Sequence, residues 1–228
     1  YSGSRARGCN TGKMKIGVFD SGVGGQSVAN SISVAMPEAE VILREDREHV
    51  PYGTRQPQEI LGFVVPIFED MIKEGCDVIV VACNTVTTTL INDLRQKFTT
   101  PLIGIEPMIK PAAQMTKTGV ITVCATPATL KSERYKWLKN QYAKEITVLE
   151  PECGDWPLMI EENAVNEHEI SQRISHTLDQ NADVIVLACT HFHWIEDEIN
   201  EIAKGKATVI QPTEAIIEQL KRVLAQLQ

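Results

Sequence analysis

The sequence has no run of basic residues. Its 22 Lys and Arg stand against 30 Asp and Glu, for a formal charge of −8. Phosphate binding is built from clustered cations, so this balance speaks against nucleic acid as a main partner. No apolar stretch reaches the roughly 18 residues needed to span a bilayer, and no membrane partner is expected. The six cysteines include no Cys-x-x-Cys pair, and no secretory segment precedes them. Free thiols are therefore the default. The glycine-rich turn near the start lacks Gly-x-Gly-x-x-Gly spacing, and no suitably placed acid follows the next strand, which argues against a dinucleotide. No second Cys/His cluster accompanies Cys189-x-His191-x-His193 at zinc spacing. Neither a metal nor a cofactor is expected.

What remains is an ordinary globular composition, 43% apolar in 228 residues, enough for one large or two small domains. Residues 1–13 are polar and basic with no apolar core. They read as a tag or leader, outside the fold. The expected address is the cytosol.

The chain is organised around two near copies, Asp77-Val-Ile-Val-Val-Ala-Cys83-Asn84-Thr85 and Asp183-Val-Ile-Val-Leu-Ala-Cys189-Thr190-His191. Each is a short, wholly apolar run followed by a helical pattern, which reads as a buried strand of a parallel sheet. Strand and helix patterns alternate along the whole chain. The expected fold is therefore α/β: two similar α/β domains with mainly parallel sheets, related by a pseudo-twofold, with the site in the cleft between them. The expected division is 14–106 plus 210–228 for the first domain and 107–209 for the second. Pro66 falls inside a helical pattern and predicts a kink or break. Thr126-Pro127 predicts a helix from there to about Tyr142, and another helix is expected from about Trp194 to Ala203.

Carboxyl ends of parallel strands are where such folds bind ligands. Two thiols at matching strand ends suit the inversion of a weakly acidic C–H centre. A thiolate takes the proton from one face and a thiol returns one to the other, with pKa values set by their neighbours. Asp20-Ser21-Gly22, with Gly24-Gly25, reads as a turn presenting backbone N–H groups to a small anion such as a carboxylate. Asp20 is costly at a buried strand end unless paired. It is a candidate for holding a substrate ammonium or tuning a thiol. His191 reads as the acid neighbour or charge partner of Cys189, and His193 only as the first turn of the next helix. Tyr52-Gly53 reads as a substrate-edge loop or an ordinary turn. Cys124 reads as core, and Cys9 and Cys76 receive no role. Glu161 and Glu162 taken alone read as a solvated face.

The strings VFDSGVGG, HVPYG, VVACNT, TPAT and LACTH, in this order, resemble the glutamate racemases of the aspartate/glutamate racemase superfamily, from about Lys15 to the end. The resemblance implies cofactor-independent, two-base interconversion of L- and D-glutamate, supplying D-glutamate for peptidoglycan. It also implies two α/β domains around the site, and often a homodimer. Cys83 and Cys189 become the acid/base thiols, with Asp20 and His191 as their polar partners. Asp20, Ser21, Tyr52, Gly53, Asn84, Thr85, Thr190 and His191 become the substrate contacts. Pro51, Thr126 and Glu161 are subsidiary candidates, Glu161 because it lies eight residues after Cys153. The chain departs from the pattern at Glu45-Asp-Arg-Glu48 (usually Gly-Asp-Thr-Ala), at Cys153-Gly-Asp-Trp156, at Phe192-His-Trp194 and at Ile210-Gln211. The alternatives are an aspartate or broad-specificity amino-acid racemase, another superfamily activity such as hydantoin racemisation, and an inactive amino-acid-binding homologue. A thiol redox function is a fourth reading.

Overall fold

The computed structural model describes residues 13–227. Residues 1–12, most of the expected leader with Cys9, lie outside the described residues. The chain starts with β1 (Lys15–Asp20), α1 (Gly24–Ala35) and β2 (Glu40–Glu45). Two 3-10 turns follow, Arg47–His49 and Tyr52–Thr54, then α2 (Pro57–Lys73), β3 (Val78–Val81), α3 (Asn84–Lys97) and β4 (Leu102–Gly104). The second half comprises α4 (Ile109–Met115), β5 (Val120–Ala125), α5 (Pro127–Lys131), α6 (Glu133–Tyr142), β6 (Thr147–Leu149), α7 (Trp156–Glu161) and α8 (Glu167–Leu178). It continues with β7 (Val184–Ala188), a 3-10 segment Thr190–Ile195, α9 (Glu196–Ala203), β8 (Thr208–Ile210) and α10 (Thr213–Leu227).

The strands form two four-stranded sheets, β2-β1-β3-β4 and β6-β5-β7-β8. Every pairing is parallel. The second order repeats the first, so β3 and β7 hold equivalent central places. Both are buried along their full length, as expected for strands covered by helices on both faces. The aspartates that precede them staple the opposite ends of the sheets. Asp77 Oδ2 accepts from Lys15 N at 2.9 Å. Asp183 accepts from Thr116 Oγ1 at 2.5 Å and from the Lys117 and Thr118 amides at 2.7 and 3.0 Å. The repeated aspartate therefore ties loops to the strand starts, away from the chemistry. α10 crosses back: Ile216, Leu220 and Leu224 pack in one cluster with Ile16, Val18, Val28 and Ile103 of the first half.

Two expectations need correcting, and a third needs narrowing. α2 is not broken at Pro66. Pro66 and Gly62 both face solvent, so water can serve the carbonyl that proline leaves unpaired, while Ile60, Val64, Phe68 and Met71 hold the opposite face in the core. The helix expected from Pro127 to Tyr142 is two. Ser132 turns extended (φ −64, ψ 146) and its hydroxyl oxygen accepts from Tyr135 N, starting a second helix with its own N-cap. The segment from Thr190 to Ile195 is 3-10, and α9 begins only at Glu196. Among the described residues no helix is long and apolar enough to cross a membrane.

The return of α10 makes a testable demand. Leu220 is fully buried whereas Val34 is 83% exposed. Leu220→Ala should lower stability by about 2–5 kcal/mol in urea unfolding, while Val34→Ala should stay within about 0.5 kcal/mol.

Candidate active site

The switch point of each sheet lies between its two central strands, whose helices leave in opposite directions. β1 ends at Asp20 and β3 leads into Cys83. β5 leads into Thr126 and β7 into Cys189. These four ends meet. Cys83 and Cys189, 5% and 6% exposed, line one cavity of about 20 Å³ together with Ser21, Pro51, Tyr52, Gly53, Asn84, Thr85, Thr126, Thr190 and His191. That volume holds about one water. An amino acid is larger than that, so the cleft as it stands is closed to one.

Two candidates stand behind this wall. Asp20 is fully buried. Its carboxylate accepts from Ser21 N at 2.6 Å and from Thr190 Oγ1 at 2.7 Å, which joins the two halves. Burial pushes its pKa up to about 6, against the pull of His191 and of these two donors. Glu161 closes the other flank. Its Oε1 lies 2.8 Å from His191 Nε2 and accepts from Val23 N at 2.7 Å. The glycine-rich turn does present an N–H to a carboxylate, and the carboxylate is the protein's own. Burial alone would raise Glu161, but His191, the Val23 amide and Arg47 outweigh it and hold its pKa below the ordinary value.

The two thiols have different surroundings. Cys83 precedes the first turn of α3, with Ser21 Oγ 3.4 Å from its Sγ. Burial, reinforced by the Asp20 charge, pushes this thiol up to about 12. Cys189 Sγ lies 3.8 Å from His191 Nδ1. Burial disfavours charge on His191, yet its contacts with Cys189 and Glu161 prevail and raise the imidazole to about 10. It is therefore an imidazolium at neutral pH.

Several cavity groups are tied to one another. Thr85 and Thr126 hydroxyls meet at 2.9 Å across the cleft. Asn84 donates to Ile105 O at 3.2 Å, whereas its buried Oδ1 has no partner among the described residues. Such orphaned acceptors are rare and mark where a donor belongs. In the sequence Asp46 and Arg47 stand out only as part of the departing segment Glu45–Glu48, without a role, and Ser27 not at all. Asp46 accepts from Tyr52 OH at 2.5 Å and pairs with His49 Nδ1 at 2.7 Å. Burial, and then this contact with Asp46, raise the pKa of Tyr52. Ser27 Oγ lies 2.9 Å from Nδ1 of His193, so His193 does more than open a helix. Burial and the nearby His191 lower His193 to about 4. The sequence signals for Asp46 were its place just ahead of HVPYG and its match to the Asp of the usual Gly-Asp-Thr-Ala. Among the described residues no group of three or more His, Cys, Asp or Glu is placed to hold a metal ion.

Fold and cleft together define a two-domain parallel α/β protein with paired thiols on one cavity. The Asp/Glu/hydantoin racemase family model matches residues 26–220. A glutamate racemase of Ralstonia pickettii is 37% identical over 215 residues, spanning 92% of this chain and 76% of that protein. One from Clostridium perfringens is 37% identical over 214 residues, spanning 92% and 82%. Escherichia coli glutamate racemase, solved with L-glutamate and the activator UDP-MurNAc-ala, superposes with a TM-score of 0.86 at 29% identity, covering 93% of this chain and 83% of that one. The Francisella tularensis enzyme with D-glutamate gives 0.77 at 28%, covering 94% and 82%. An allantoin racemase of Klebsiella pneumoniae, at 18% identity and a TM-score of 0.61, shares the fold. The chain belongs to the Asp/Glu/hydantoin racemase family.

The His191 contacts predict a pH effect with a definite sign. Its folded pKa of about 10 exceeds the ordinary 6.5. The stability it contributes is complete below about pH 6.5 and is lost as pH rises through about 10. An NMR titration of the His191 ring should show the raised midpoint, and Glu161→Gln should lower it. A midpoint near 6.5 in the unmodified protein would contradict this reading.

Proposed function

We propose that this chain racemises glutamate without a cofactor, with Cys83 and Cys189 as opposed acid and base. The observation that carries the reading is the shared cavity. Two equivalent strand ends bring one thiol each to the same small space. Glutamate is favoured as substrate by the similarity to glutamate racemases, including structures solved with L- and with D-glutamate.

The chemistry follows from the surroundings. In one direction Cys189, with His191 Nδ1 3.8 Å from its sulfur, acts as the base. It takes the Cα proton from its face of the substrate, and the electron pair left on Cα is delocalised into the adjacent carboxyl group. Cys83, a thiol at neutral pH given its raised pKa, returns a proton to the opposite face and is left as thiolate. The reverse direction exchanges the roles. Asn84 Oδ1 is the acceptor offered to the substrate ammonium. Ser21, Tyr52, Gly53, Thr85, Thr190 and His191 supply the remaining contacts, with Pro51 and Thr126 on the wall. Asp20 holds Thr190 and Ser21 in place and raises the proton affinity of Cys83. A role in supplying D-glutamate to the cell wall, a cytoplasmic location and a homodimer belong to the same proposal.

Incubation with L-glutamate in heavy water, with no added cofactor, should place deuterium at Cα and yield D-glutamate. A panel including aspartate tests the breadth of the site. Tight binding of glutamate without exchange would point to an inactive homologue, and no exchange from any amino acid would overturn the proposal.

A further inference from the structure

We infer that Arg47 is a positioning residue for the Cys189 side of the cleft: it holds the Glu161 carboxylate against the His191 ring that stands beside the thiol. The inference deepens the two-thiol reading above and rests on it. Arg47 belongs to the 3-10 turn after β2, in the first half, and Glu161 ends α7 in the second. The guanidinium places Nε at 3.2 Å and Nη2 at 3.1 Å from Glu161 Oε2. Glu161 Oε1 is thereby left for His191 and the Val23 amide. No other hydrogen bond reaches Oε2 among the described residues. Without Arg47 one carboxylate oxygen loses its only anchor, and the carboxylate is free to turn away from the imidazole.

The surroundings show why this clamp matters here. The groups facing His191 and Glu161 are Asp20 from β1, Glu45 from β2, Cys83 at the start of α3, and Cys189 and His193 on the same loop. Glu45 is held above its ordinary pKa by burial, and its Oε1 has no partner among the described residues. Among the described residues Arg47 is the only Lys or Arg paired with Glu161. It also falls in the segment Glu45-Asp-Arg-Glu48, where the chain departs from the pattern it otherwise follows.

Two roles for Arg47 have opposite signs. As a bare charge it repels the imidazolium, so its removal would raise the His191 midpoint. As a clamp on Glu161 it sustains the imidazolium, so its removal lowers that midpoint. The test uses the full chain carrying Arg47→Ala or Arg47→Lys. One readout is the NMR titration of His191. The other is iodoacetamide alkylation of each thiol near neutral pH, followed by peptide mass spectrometry. In Arg47→Ala the His191 midpoint should fall. Alkylation of Cys189 should slow about three-fold, the scale set by a partly exposed ion pair, with Cys83 unchanged. Arg47→Lys should restore part of both. An unchanged or raised midpoint, an equal change at both thiols, or any other combination overturns the inference. Neither readout needs turnover. A chain that shows this pattern yet exchanges no proton from glutamate would sink the two-thiol reading and leave the coupling standing.

Discussion

The loop after β7 lies so close to the turn after β1 that no side chain fits between them. A Cβ on Gly24 would stand 2.5 Å from the carbonyl carbon of Thr190 and 2.6 Å from the His191 amide nitrogen. One on Gly22 would stand 2.0 Å from Glu161 Oε1. Backbone against backbone cannot give way as a long side chain can. The glycines are therefore needed for the closeness of the two halves, beyond the shape of the turn. Everything in the cleft depends on that approach. It lets Thr190 reach Asp20, Glu161 reach the Val23 amide, and Trp194 Nε1 donate to Val23 O at 3.1 Å. It also leaves only a water-sized gap beside the thiols.

That closeness gives two similar strand ends different electrostatics. On the Cys83 side burial and the Asp20 carboxyl disfavour charge on the sulfur, and the Ser21 hydroxyl only partly offsets them. On the Cys189 side the neighbour is His191, 3.8 Å from the sulfur and backed by Glu161 at 2.8 Å. A two-base reaction needs one sulfur protonated and one not at the same moment. Near-copies of one strand, placed in unlike surroundings, can meet that need without a cofactor. Proton transfer itself then moves the sites between two mirror-image charge states.

Much of this was legible along the chain. The apolar runs at Asp77–Cys83 and Asp183–Cys189 have the composition of doubly covered parallel strands. Their carboxyl ends are where such sheets bind ligands, so the pairing of the thiols followed. What escaped was contact between distant segments. Nothing local to Arg47 announces Glu161 as its partner, and Glu161, which by itself reads as solvated surface, was a subsidiary candidate only through the resemblance; α7 places it beside His191. The partners of Asp46 and Ser27 escaped for the same reason. The helix errors were local. Ser132 carries an N-cap signal inside an otherwise helical stretch, and Pro66 is tolerated because its missing bond faces water. The duplicated aspartates had a simpler use than the eye-catching repeat suggested, as staples at the far ends of the sheets.

The central claim is that each sulfur serves one face of one carbon. It is tested most directly by Cys83→Ser and Cys189→Ser variants, each assayed for single proton abstraction from the separate enantiomers, read as Cα–H washout or as elimination from a β-leaving-group analogue. The account predicts that each variant loses abstraction from one enantiomer only, and that the two variants lose opposite ones. Equal loss from both enantiomers in either variant, or the same enantiomer lost in both, would contradict it.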